Sequence, residues 1–86
     1  MDCISVKEAK YVEDYKIFIV FNNNESGTVD LKDIIDKYEI AKQLKDVKKF
    51  SNFHLDSWPT IVWDCGFDVA PETLYYRATG HKCFEN

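Results

Sequence analysis

The residues that could do chemistry in this 86-residue chain are few and scattered. Cysteines at 3, 65 and 83 and histidines at 54 and 81 are soft ligands, enough in kind for a tetrahedral zinc site. No pair stands at C-x-x-C spacing, so ordinary thiols are expected, with no metal and no other cofactor. Cys65 could be a nucleophile with His54 or His81 as its base, but nothing in the spacing supports that. Cys65 also precedes Gly66 in what reads as a hairpin turn. Asp56, Asp64, Asp68 and Glu72 lie near one another along the chain and could hold a hard cation or share acid and base work. Turn roles for Asp56 and Asp64, and helix-start electrostatics for Asp68 and Glu72, account for them more simply. Asp68 stands apart because it falls inside an expected strand, where Asp is disfavoured. No phosphate-cradling glycine loop is present, and there are only three glycines.

Two further groups suit binding better than catalysis. Lys42, Lys45, Lys48 and Lys49 would share one helical face, a candidate basic patch for phosphates. The net charge is −4 and Arg77 is the single arginine, so a solvated face is expected and nucleic acid is not expected to be bound directly. Trp58, Tyr75 and Tyr76 are candidate interface residues, while Trp63, Phe67 and Leu74 read as core.

These residues must be positioned by short elements. Residues 3–12 alternate in polarity and then shift phase, as at a bulge. Residues 15–22 form the strongest strand, apolar on both faces, which predicts a central strand covered on both sides. Asn22 to Gly27 is a turn, and Thr28 to Leu31 returns as a third strand. Asp30 is placed to cap a helix, with Asp33 near a capping-box position. Leu31, Ile34, Ile35 and Tyr38 make one apolar stripe, and Ile40, Ala41 and Leu44 the next. Asp46 caps a short helix with Val47 and Phe50 inward and the four lysines outward. Thr60–Trp63 and Phe67–Val69 are expected to pair as strands about a turn at Asp64–Gly66, with Pro59 where no ladder donor is needed. Pro71 opens a last helix to about Arg77, which Gly80 ends. The order βββ-αα-ββ-α predicts an α+β fold, a small and largely antiparallel sheet with short helices on one face.

Composition sets limits. Residues 1–86 make one domain, since a second core would not fit. The longest apolar run, Ile17 to Phe21, is far short of the roughly 20 residues of a spanning helix, so no membrane association is expected. No signal peptide is apparent in Met1 to Ser5, and three unpatterned cysteines suit a reducing cytoplasm. Six Phe, five Tyr and two Trp can build a core, which excludes a disordered chain.

The run from Thr60 to Tyr75 resembles the C-terminal signature T-I-x-W-x-x-G-x-D-[IL]-x-P-E-x-L-Y of a small bacterial family, domain of unknown function 2442. Trp63, Gly66, Asp68, Pro71, Glu72, Leu74 and Tyr75 fall on its fixed positions, and Val69 stands at the Ile/Leu position. Asp14 to Phe21, Asp30-Leu31 and the Leu44–Phe50 segment match earlier family patterns. The first hairpin departs, since relatives have a compact Asp-Gly turn where this chain has Asn22 to Gly27. The resemblance implies a small α+β fold and no established activity. Some relatives carry a fused helix-turn-helix domain, for which 86 residues leave no room. Others are encoded beside another small protein, in pairs proposed as toxin–antitoxin modules. The expectation is a non-enzymatic protein-interaction or regulatory module, an antitoxin-like partner of a neighbouring small protein or a self-associating one. The alternatives are a small ligand-binding domain or enzyme using Asp68 and Glu72, and weak nucleic-acid binding through the lysines.

Overall fold

Alternating polarity over the first thirty residues builds a three-stranded antiparallel sheet in the computed structural model, which describes residues 4–55 and 60–80. Strands β1 (Val6–Glu13), β2 (Lys16–Phe21) and β3 (Ser26–Asp30) lie in the order β1-β2-β3. Ile17, Ile19 and Phe21 of β2 and Val29 of β3 turn inward and are buried. Irregularities in β1 between Val6 and Glu8 and between Tyr11 and Glu13 account for its phase shift.

β2 is central, but it is covered on one face only. Phe18 lies between Lys10 and Thr28 in the register and is 37% exposed. Its neighbours on both edge strands are polar, the alternation of a sheet with one solvated face. The β2–β3 turn also differs from expectation. Asn24 takes the left-handed conformation (φ 71°), and its N–H donates to the Phe21 carbonyl at 2.9 Å. Gly27 is not in the turn at all; it pairs with Ile19 inside β3. A Cβ there would press on the Ala78 carbonyl oxygen, so the glycine lets the last helix lie close on the strand.

Helix α1 (Lys32–Lys37) follows β3 directly. The Asp30 carboxylate accepts from the Lys32 N–H at 3.0 Å, although Leu31 is the boundary residue. Asp33 does not complete a capping box; it reaches Arg77 instead. The next stretch, Glu39–Lys45, is a 3-10 helix. With three residues per turn, Ala41 and Leu44 stack inward while Ile40 leaves their stripe and is exposed. Asp46 caps α2 (Val47–Phe50) by accepting from the Lys48 N–H at 3.0 Å, as expected, but four residues bury Phe50 alone and Val47 stays exposed.

The second pair of strands is β4 (His54–Leu55) with β5 (Ile61–Val62), not Thr60–Trp63 with Phe67–Val69. Phe67–Val69 is reduced to one antiparallel bridge, Val62 with Asp68. Helix α3 (Pro71–Thr79) starts on Pro71 and ends on Gly80 (φ 80°), whose N–H donates to the Tyr76 carbonyl. The fold is α+β, a three-stranded and a two-stranded antiparallel sheet with short helices.

Trp63 sits at the centre of an aromatic chain. Its ring lies 5.5 Å from Phe50 and 5.6 Å from Phe67, and Phe67 lies 5.9 Å from Tyr38. Its indole N–H donates to the Phe50 carbonyl at 2.7 Å, so the buried ring leaves no polar atom unpaired. Among the described residues, no helix is long and apolar enough to cross a membrane.

Candidate functional site

The turn after β5 sets one wall of an open groove of about 530 Å³. Gly66 (φ 95°) makes that turn, its N–H donating to the Trp63 carbonyl at 2.9 Å. Gly66 to Ala70 then line the groove, and Ala70 leads into α3, whose Thr73 and Arg77 continue the wall. The facing wall comes from Asp33, Ile34 and Lys37 of α1, Tyr38, and Ile40 of the 3-10 helix. The walls approach at Gly66, where a Cβ would lie 3.8 Å from Ile40 Cδ1.

The lining is mixed. Phe67 and Val69 are buried, whereas Tyr38 and Ile40 are 47% and 52% exposed. Arg77 closes onto Asp33 with both guanidinium nitrogens at 2.7 Å. Hydrogen bonding from Arg77 holds the Asp33 carboxyl below its ordinary range. Lys37 lies over the Tyr38 ring, 5.6 Å from its centroid. Asp68 is exposed, and among the described residues it forms no ion pair.

The family-signature residues divide by role. Trp63, Pro71 and Leu74 are buried, and Gly66 shapes the turn. Tyr75 is also buried, its hydroxyl donating to the Glu25 carboxylate and accepting from Asn23 Nδ2 at 3.3 Å. That cluster fixes the β2–β3 turn to α3. Asp68 lines the groove while Glu72 does not, so the two carboxylates are not assembled at one site. Tyr76 is 53% exposed on α3, and Trp58 lies outside the described residues.

The other candidates are dispersed. Lys42, Lys45, Lys48 and Lys49 are all exposed, but the extended backbone at Asp46 splits them between the 3-10 helix and α2. Lys42 stands 4.0 Å from Glu39 and Lys45 stands 3.8 Å from Asp36. His54 Nδ1 is 3.7 Å from Asp64 on the exposed surface. Cys65 is half-buried and lines a second cavity of about 210 Å³ with Lys49, Trp63 and Asp64, which His54 does not enter. Cys3, Asp56, His81 and Cys83 lie outside the described residues. Among the described residues, no three of His, Cys, Asp and Glu gather as a metal site.

Sequence reasoning missed Asp33, Lys37, Tyr38 and Ile40 as groove residues. The Arg77–Asp33 pair spans 44 positions and carries no local signature. Exposure of Ile40 follows from the 3-10 geometry, which its apolar neighbours hide.

A family described as "Protein of unknown function (DUF2442)" matches residues 6–80. No curated protein matches the chain. A solved structure, "Crystal Structure of Putative DNA Binding Protein NE0471 from Nitrosomonas europaea ATCC 19718", is similar with a TM-score of 0.77 and 20% sequence identity. The alignment covers 91% of this chain and 50% of that one, so this chain spans half the length of that neighbour.

Proposed function

The chain belongs to the DUF2442 family of proteins of unknown function, and we propose that it acts as a non-enzymatic protein-interaction module. The observation that carries this reading is the groove, where Tyr38 and Ile40 stand about half exposed over the buried Phe67. Exposed apolar side chains beside a concavity, rimmed by charges, suit a protein partner. Acid–base catalysis would need paired groups, and Glu72 stands outside the groove that Asp68 lines. A regulatory, antitoxin-like role beside a neighbouring small protein fits such a module, in the cytoplasm with Cys65 as a free thiol.

The structural neighbour is described as a "Putative DNA Binding Protein", and the alignment covers 50% of it. Lys42 and Lys45 already face Glu39 and Asp36, which lowers their pull on phosphates. Direct nucleic-acid binding is therefore the second reading, and a mobility shift at low salt would favour it.

The test is co-expression with the products of the genes that flank its own, followed by gel filtration. One of them should elute together with the chain, and Ile40→Asp should separate the two while leaving the fold intact. Elution of the wild-type chain independently of both products would overturn the reading.

A further inference from the structure

The groove wall has an unpaired backbone edge at Asp68. The Trp63 N–H donates to the Phe67 carbonyl at 2.9 Å, which makes Val62 and Asp68 a non-hydrogen-bonded pair within their antiparallel bridge. In such a pair each residue's own N–H and C=O turn away from the partner strand. The Asp68 backbone groups therefore point away from β5, and no other strand among the described residues takes them. The Asp68 carboxylate is exposed beside them without an ion pair among the described residues. Of the groove's other charges, Asp33 is held by both nitrogens of Arg77 and Lys37 lies over the Tyr38 ring, which leaves Asp68 as the groove's unmatched carboxylate.

Resting on the protein-interaction reading above, we propose that the groove takes an extended segment of a partner protein with a basic side chain directed at Asp68. The segment would add as a strand to the open edge, using the Asp68 N–H and C=O. Its neighbouring apolar side chains would cover Tyr38 and Ile40. The lone carboxylate selects the charge of the segment: a lysine or arginine gains a charge-assisted contact, and a glutamate meets repulsion.

Three synthetic pentapeptides test this by titration into the nitrogen-15-labelled protein, followed by amide NMR. They are acetyl-Val-Leu-Arg-Leu-Val-amide, the same peptide with Glu for Arg, and the Arg peptide N-methylated at its arginine and at both leucines. The Arg peptide should shift the amides of Gly66 to Ala70 and of Tyr38 to Ile40. It should bind about tenfold tighter than the Glu peptide, the size expected of one charge-assisted contact. In Asp68→Asn, whose side chain is exposed and whose fold should be unchanged, that preference should fall below about twofold. N-methylation should abolish the shifts if strand pairing holds the segment. Equal binding of the Arg and Glu peptides, or binding undiminished by N-methylation, overturns the proposal while leaving the groove as a docking surface. So does a groove response to protein concentration alone, which assigns the site to a second copy. No response of the groove amides to any peptide also overturns it, and co-elution with the neighbouring protein then separately decides the broader reading.

Discussion

Arg77 reaches across from α3 to grip Asp33 of α1 with two parallel hydrogen bonds of 2.7 Å. Arg77 Nη1 also donates to the Asp30 carbonyl at 3.3 Å, so one side chain ties the last helix to the end of β3 and to α1. A planar guanidinium can make this fork, whereas a lysine ammonium cannot. The two residues line opposite walls of the groove, so the pair sets the relation between those walls.

Replacing Arg77 by Met should lower stability by about 0.5–1 kcal/mol, the range of a well-aligned but largely solvated pair. In a domain of this size that corresponds to a loss of roughly 2–8 °C in Tm by thermal denaturation. Arg77→Lys should recover only part of it.

The same pair makes a pH prediction. Arg77 lowers the Asp33 pKa below its ordinary 3.8 in the folded protein. The unfolded chain then binds the proton more readily, so the contribution is fully present above the unfolded pKa and is lost as pH falls through the folded one. The stability difference between wild type and Arg77→Met should be constant from pH 6 to 8 and narrow as pH falls below the ordinary carboxylate value, as read from urea unfolding at each pH. A difference that grew on acidification would contradict the assignment.

Gly27→Ala places a methyl carbon against the Ala78 carbonyl oxygen and 3.0 Å from the Ala78 carbonyl carbon. Backbone cannot swing aside as a side chain can, so α3 must lift from β3. A cost of roughly 1–3 kcal/mol is expected, as for other overpacked sites, with a matching fall in the urea midpoint. Gly80→Ala provides the contrast. None of the described residues lies within 4 Å of a Cβ there, but φ is +80°, so it should cost about 1 kcal/mol from backbone strain alone. Gly80→Asn should cost less, since Asn accepts that conformation.

These two glycines also mark what the chain made legible. Gly80 is local: it follows a helix that Pro71 starts, and both ends could be read from residue type. Gly27 reads as a turn glycine because it closes the polar run Asn22 to Ser26; its true constraint is Ala78, 51 residues away, which no local pattern records. The groove divides in the same way. Gly66 and Asp68 stand in a recognisable motif. Their opposite wall does not, because it depends on a 3-10 stretch that turns Ile40 outward and on a salt bridge between remote helices. The β4–β5 pairing was hidden for a further reason: strands of two residues are too short to show alternation.

Trp63 tests the core rather than the surface. Trp63→Phe keeps an aromatic ring between Phe50 and Phe67 but removes the donor to the Phe50 carbonyl. Leaving a buried acceptor unpaired costs about 1–3 kcal/mol, and the smaller ring leaves a void besides. The variant should unfold at distinctly lower urea than wild type, with an unchanged slope if the native state stays two-state and compact. Trp63→Leu, which loses the ring contacts as well, should be less stable again.

Tyr38→Ser and Ile40→Ser separate stability from binding. Both side chains are about half exposed, so each change should alter stability by no more than about 0.5–1 kcal/mol. Tyr38 carries the larger share of that, because its ring touches Phe67 and lies under Lys37. If the groove is the docking surface, each variant should nonetheless weaken co-elution with the partner protein severalfold or more, as loss of an apolar anchor does at an interface centre. Phe18→Ser is the matched control. Phe18 is comparably exposed but lies on the solvated face of the sheet, between Lys10 and Thr28, and is not among the groove residues. Its removal should leave partner binding unchanged, and a loss there equal to that of Ile40→Ser would move the docking surface from the groove to the sheet.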